Sequence, residues 1–411
     1  MSSSWSEITL DDVCSKITDG AHHSPKSVET GKPMASVKDM TPFGLNLDSA
    51  RLIGEEDYEK LVKLGCKPEI DDILIAKDGN SALDTVCRVK ENKDVVLLSS
   101  VAILRPDTDV IYPDFLRLYL DAEPTRKYLK ASSISGAAIP RVILKDFKRA
   151  KIRLPLEIAQ QKIIADTVAN YDNLIENNNR RIAILEDMAQ SLYQEWFVKF
   201  RFPGHQNTKF KESSLGLIPE GWEIKAASKV IDIAPKMSLP KAGKKPFVSM
   251  PNVSTTSMVV DEIEMREGNS GTKFINGDTL MARITPCLQN GKTGFVQFLD
   301  DINPIGFGST EFIVMRSKEL PPEFVYCLAR SDSFRGKAIN SMAGADGRQR
   351  VKNDCFNSYY LPVPPKINLE QFSEIAMPAF KAVFRLNQKN KNLKKQRDML
   401  LPKLISGNIG I

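Results

Sequence analysis

The sequence predicts an α+β fold in which two mixed α/β domains, related by pseudo-two-fold symmetry, are separated by two long helices that pair as a coiled coil. Three observations predict it. The chain repeats itself in order, its hydrophobic period changes at the end of each repeat, and the two segments of helical period carry opposite charge.

The repeat has a spacing of roughly 210 residues, about half the chain. Trp5 to Val13 reads WSEITLDDV and Trp222 to Val230 reads WEIKAASKV. Lys32, Pro33 and Ser36 are echoed by Lys245, Pro246 and Ser249, and DILIAK at Asp72 to Lys77 by DTLMAR at Asp278 to Arg283. SVAILR ending at Arg105 matches EFIVMR ending at Arg316, PDF at Pro113 matches PEF at Pro322, and a small-residue loop ending Arg141-Val142 matches one ending Arg350-Val351. One echo is chance; six in order are a duplication.

Each repeat opens with short β-like runs, such as Val95 to Leu104 and Glu311 to Met315, broken by Gly, Pro, Asn and Asp. A Pro-marked strand closes it, LPL at Leu154 to Leu156 and LPVPP at Leu361 to Pro365. The expected division is 1–155 and 201–365 for the domains, with helices at 156–200 and 366–411.

In the first helix Ile164, Val168, Tyr171, Ile175, Ile182, Leu185, Leu192 and Trp196 step by threes and fours, with Asn178 and Ala189 completing a heptad stripe. The second runs through Ile375, Ala379, Val383, Leu386, Asn390, Leu393, Leu400 and Leu404, and Pro378 and Pro402 predict kinks or ends there. Between Lys162 and Lys199 there are six acidic and four basic residues; Lys381 to Lys403 holds eight basic and one acidic. Opposite flanks favour the mixed pair over either self-pair. The pairing residues are Ile164, Val168, Tyr171, Ile175, Ile182 and Leu185 against Val383, Leu386 and Leu393.

Composition excludes several classes. Of the 411 residues 42% are hydrophobic and 26% charged, the proportions of a soluble globular protein, and no apolar run approaches a membrane span. The opening residues lack a basic stretch followed by an apolar core, so a cytoplasmic protein is expected. Six scattered cysteines without a CxxC, with only three histidines, predict no metal site. A net charge of +6 permits a polyanionic partner without demanding one.

Four stretches resemble the specificity subunits of type I restriction-modification systems: ITDGAHHSP at Ile17 to Pro25, LEDMAQSLYQEWFVKFRFPG at Leu185 to Gly204, LGLIPEGWEI at Leu215 to Ile224 and RDMLLPKLISGNI at Arg397 to Ile409. The resemblance implies two target-recognition domains, each reading half of a split site in double-stranded DNA. It also implies that the long helices are antiparallel, serving as a spacer and as docking surface for two modification (methyltransferase) subunits, with restriction/translocase subunits as further partners. Two alternatives stay open: the recognition part of a stand-alone adenine methyltransferase, and a two-domain nucleic-acid-binding scaffold.

Neither methylation nor cleavage chemistry is legible. A methyltransferase needs a Gly-rich cofactor loop and an Asn/Asp-Pro-Pro-aromatic loop, and Asn303-Pro304-Ile305-Gly306 lacks the second proline and the aromatic. GKT at Gly291 to Thr293 has Pro286 where a phosphate-binding loop needs glycine. Glu223-Ile224-Lys225 has nuclease-like spacing without an upstream carboxylate, and His22-His23 sits in a loop without a nucleophile. The expectation is no catalytic residue, no cofactor and no metal.

Base edges are read by Arg, Lys, Asn and Gln on loops, while nearby Lys and Arg hold phosphates. In the first domain the candidates are Lys26 and Lys38 within Ser24 to Lys38, Lys77 and Asn80, and Arg141 closing the loop from Ser135. In the second they are Asn252, Arg283, Gln289, Asn290 and Lys292, followed by Arg348, Gln349 and Arg350.

Overall fold

The computed structural model describes residues 5–79, 81–135, 140–344 and 349–407. The chain divides into two compact units, one formed by Met1–Leu174 with Asn392–Ile411 and the other by Ile175–Lys391. Both long helices cross that division.

In the first unit, Trp5–Thr9 pairs antiparallel with Lys151–Pro155, so the ends of the repeat close on each other. Between them lies a four-stranded antiparallel sheet in the order Cys14–Asp19, Val101–Pro106, Ile73–Ala76, Val86–Arg88. Ile73–Ala76 is wholly buried, which explains its unbroken apolar run in place of an alternating one. A second sheet sets Lys32–Ala35 between Arg51–Ile53, antiparallel, and Val96–Leu97, parallel. Helices Pro113–Asp121 and Glu123–Ser133 bury Phe115, Leu116, Leu118, Leu120 and Leu129 in the core. Pro113 stands in the first turn of its helix, where its missing N–H has no partner to lose.

The second unit repeats that plan in its two main sheets. Glu223–Ala226 pairs with Tyr360–Val363, and the four-stranded sheet runs Ile231–Ile233, Phe312–Ser317, Thr279–Ala282, Thr293–Phe295. Lys244–Val248 again lies between an antiparallel neighbour, Glu264–Glu267, and a parallel one, Gly306–Gly308. Thr272–Phe274 adds one strand to the second of these sheets, without a counterpart among the described residues of the first unit. Helices Pro322–Arg330 and Asp332–Asn340 follow as before.

The echoed residues become one ion pair in each unit. Asp72, fully buried, takes Arg105 Nε at 2.9 Å and Nη2 at 3.0 Å, and also the Glu69 amide at 2.7 Å. Asp278, fully buried, takes Arg316 Nε at 2.8 Å and Nη2 at 2.7 Å, and the Ile275 amide at 2.8 Å. A buried carboxylate survives only with such a complete set of donors.

The first long helix, Ile158–Tyr193, continues as a π-helical turn over Gln194–Val198; the second spans Lys366–Ile405. In the first unit Ile164, Ala165 and Val168 share a core with Leu401, Leu404 and Ile405, and Asp172 takes Arg397 at 2.7 Å and Arg117 at 3.1 Å. In the second unit Ile175, Ile182 and Ala189 are buried, Trp196 meets Phe372, and Leu185 and Leu386 pack on the core that holds Val383. As the first helix ascends, its partners descend: within each unit the pairing is antiparallel. Asn178 donates to Asn390 Oδ1 at 2.8 Å, and Asn390 in turn to Asn179 Oδ1 at 2.8 Å, so the polar members of the two stripes meet and find partners. Tyr171 and Leu393 are half-buried.

Two expectations about the second helix are corrected. Pro378 and Pro402 lie inside one helix and do not end it, and Ile375 is 51% exposed. The packed face is instead Phe372, Ala376, Phe380 and Val383. Pro378 is itself exposed, so the hydrogen bond it removes lies away from that packed face, which holds the helix together across it. Among the described residues no helix is long and apolar enough to cross a membrane.

Candidate nucleic-acid interface

In both repeats the loop after the central strand of the four-stranded sheet meets the small-residue loop near the end of the repeat. In the first unit Val142 N donates to Lys77 O at 3.0 Å and Gly79 N to Pro140 O at 2.9 Å, while Arg141 Nε reaches Asp78 at 3.1 Å. In the second, Val351 N donates to Arg283 O at 2.9 Å, Thr285 N to Gln349 O at 3.1 Å, and Gln349 N to Thr285 Oγ1 at 3.1 Å. Segments about 60 residues apart in sequence, which the echoes alone could not join, thus form one rim per repeat.

A turn from the second sheet joins each rim. Ser36 and Asp39 cap the short turn Val37–Asp39, whose first amide donates to Ser100 Oγ at 3.3 Å; Ser100 O accepts Lys77 N at 2.8 Å. Lys38 stands exposed on that turn. In the second unit Ser249 and Asn252 form the same cap, and the Met250 carbonyl takes Lys292 Nζ at 2.9 Å.

The candidate residues therefore fall into three groups. Lys26, Lys38, Gln289 and Asn290 are exposed, and their side chains have no partner among the described residues. Arg141 and Arg350 are exposed but paired on the surface, Arg350 lying bidentate on Glu311 with a shortest contact of 2.8 Å. Both guanidinium groups are open to water, which screens these pairs, so either arginine can exchange its partner for a phosphate. The third group is committed inward. Lys77 is buried on Asp19, Asn252 spends its amide on the Ser249 cap and Glu262 O, Arg283 donates to Val351 O, and Lys292 to Met250 O. Gln349 is half-buried; Asn80 and Arg348 lie outside the described residues, as does 136–139 in the loop before Arg141.

The lookalike motifs have structural explanations. Lys225 lies between Glu223 at 3.2 Å and Glu319 at 2.9 Å, Gly291 makes a turn at φ +81°, and Asn303 N bonds Asp300 at 2.6 Å in another. His22 and His23 are exposed, His22 lying 3.2 Å from Asp19. Burial pushes the Cys14 and Cys87 thiols up to about 12, so both stay protonated at neutral pH.

Sequence reasoning missed Arg330 and Arg335, whose guanidinium groups hold the loop from Pro286 to Lys292 by its carbonyls. A signal was available: Arg126 and Arg335 are separated by the same number of residues as Arg141 and Arg350.

The type I restriction modification DNA specificity domain family matches residues 2–187, the first repeat with most of the first long helix. Two curated relatives from Methanocaldococcus jannaschii extend the likeness into the second repeat. The MjaIX specificity subunit is 24% identical over 74% of this chain and 70% of its own length; the MjaVIII specificity subunit is 24% identical over 86% and 83%. The likeness to type I specificity subunits thus runs through both repeats. Among solved structures, the S subunit of the type I system from M. genitalium shares the fold, with a TM-score of 0.58 at 15% identity over 98% of this chain and 96% of that one. Within this chain the strand order is duplicated, and the two rims are where the repeats differ.

Proposed function

We propose that this chain is the non-catalytic DNA-specificity subunit of a type I restriction-modification enzyme, reading a bipartite sequence in double-stranded DNA with one half-site per repeat. The observation that carries the reading is the rim. Each repeat builds one from the same loops, each offers exposed basic or amide side chains there, and those side chains differ between repeats. Two similar scaffolds with different readers suit two unlike half-sites.

The recognition domains are 1–155 and 201–365, and the helices at 156–200 and 366–411 are the spacer and the docking surface for two modification subunits, with restriction subunits as further partners. The first helix from Gln160 to Phe197 would measure about 60 Å at 1.5 Å per residue, enough to set a spacing along a duplex. Methyl transfer and cleavage belong to those partners, and the assembly works on DNA in the cytoplasm.

Lys26 and Lys38 in the first domain, and Gln289 and Asn290 in the second, lead the contact set; Arg141 and Arg350 join it by exchanging a carboxylate for a phosphate. The test is reconstitution with modification subunits encoded beside this chain. The combined subunits should methylate adenine in one bipartite sequence, while neither component alone transfers a methyl group. Methylation of the same sequence by the modification subunits without this chain would overturn the reading.

A further inference from the structure

Gln289 and Asn290 are exposed at the tip of a seven-residue loop, Pro286 to Lys292, whose base is pinned by the buried Leu288 and by Lys292 on the Met250 carbonyl. Side chains that read base edges must be presented by a fixed backbone, because ordering a floppy loop at the moment of binding consumes the affinity that discriminates. Beyond that base, two arginines hold the carbonyls on either side of Asn290. Arg335 Nη2 donates to Gln289 O at 3.0 Å, and Arg330 Nη1 donates to Gly291 O at 3.1 Å and to Thr255 O at 3.0 Å. Charge-assisted bonds to carbonyls are among the stronger ones available. Gly291 supplies the necessary close approach: at φ +81° it brings the backbone so near that a Cβ there would lie 3.3 Å from Arg335 Nη2.

The Thr255 turn is fixed in its own right. Glu186, on the first long helix, accepts from Ser257 Oγ and from the Met258 amide, each at 2.7 Å. Arg330 therefore joins the loop to a turn that is already anchored within the same unit.

The first repeat has a counterpart built differently. Arg126 donates to Asp84 O at 3.5 Å, and Lys130 grips the Asp84 carboxylate at 2.6 Å. The counterpart of the helix that carries Arg335 holds the same loop there, but through one side-chain ion pair and one long bond.

We propose that Arg330 and Arg335 are positioning residues for the second half-site: they touch no base, yet they set the sequence preference of Gln289 and Asn290 by clamping the neck of the loop. This deepens the proposed function and rests on the loop being a reader.

The test uses the full chain assembled with its modification subunits, the readout being adenine-methylation sequencing together with binding to duplexes altered in one half-site. The R330M/R335A double variant should lose about tenfold or more of its discrimination at the second half-site, with the first half-site and complex assembly unchanged. Arg335→Lys, which keeps one donor, should recover part of it. Should the double variant fail to fold, G291A strains the same neck with both arginines retained and should relax the same half-site. An unchanged second half-site in the variants, or equal relaxation of both halves, overturns the inference. A Q289A/N290A variant separates the two ideas. If it leaves the second half-site intact, the loop is no reader and the underlying reading fails; if it alters that half-site while the arginine variants do not, only the clamp fails.

Discussion

Set Asp72 beside Asp278 and then Lys77 beside Arg283. The first two occupy the same place in the two repeats and do the same thing: each is fully buried, takes an arginine in a bidentate pair and accepts a backbone amide three residues before it. The second two follow the same strand and do different things. Lys77 buries its ammonium on Asp19, whereas Arg283 crosses to the Val351 carbonyl. Duplication has thus kept the ion pair that holds the sheet and varied the loops that leave it. Removing half of a buried pair leaves an uncompensated charge, while exchanging a loop side chain costs little.

The comparison breaks most visibly at the ion pair. Asp72→Ala and Asp278→Ala should each cost about 1–3 kcal/mol in denaturant unfolding, because each removes the buried acceptor of a half-buried arginine and of a backbone amide. Widely unequal losses would mean that the two scaffolds are not held alike.

The helices give the next effect. A seven-residue insertion after Arg181, matched by one near Lys391, keeps the apolar stripe in phase and should lengthen the spacer in the methylated sequence while both half-sites stay the same. Two-residue insertions turn the stripe by about 200° and should abolish assembly. An active complex with the original spacer after the longer insertions would reduce the helices to docking surfaces.

Glu186 gives the smallest effect and sharpens the contrast between repeats. Burial holds its carboxyl above the ordinary carboxylate range, against the bonds from Ser257 and Met258 and the nearby Arg330, which lower it. A raised folded value means that ionisation opposes folding: stability is fully present below the ordinary value and is lost as pH rises through the folded one. Glu186→Gln keeps an acceptor oxygen and does not ionise. Its melting temperature relative to the native chain should rise with pH from the ordinary carboxylate range upward, and a gap that shrinks instead would contradict the assignment.

Much of this architecture was legible in the sequence for one reason: repeats and heptads are periodic, and periodicity survives without coordinates. Asn178 and Asn390 were placed on their stripes by spacing alone, and they meet. Pro378 misled because local propensity was weighed without the aromatic face that carries the helix past it. Lys77 and Asn252 looked like surface readers because residue type says nothing about a partner such as Asp19, or about a cap. Arg335 is legible as an echo of Arg126, but its task is not, since a backbone carbonyl acceptor leaves no mark on residue identity.

Segment exchange tests the central claim most directly. Residues 1–155 are replaced by the same segment of a relative with a different target, the complex is expressed in a host that lacks other adenine methylation, and the methylated sequence is read genome-wide. The account predicts that one half of the site changes to the relative's while the other half and the spacer stay as they were. A change in both halves, or in neither, would contradict it.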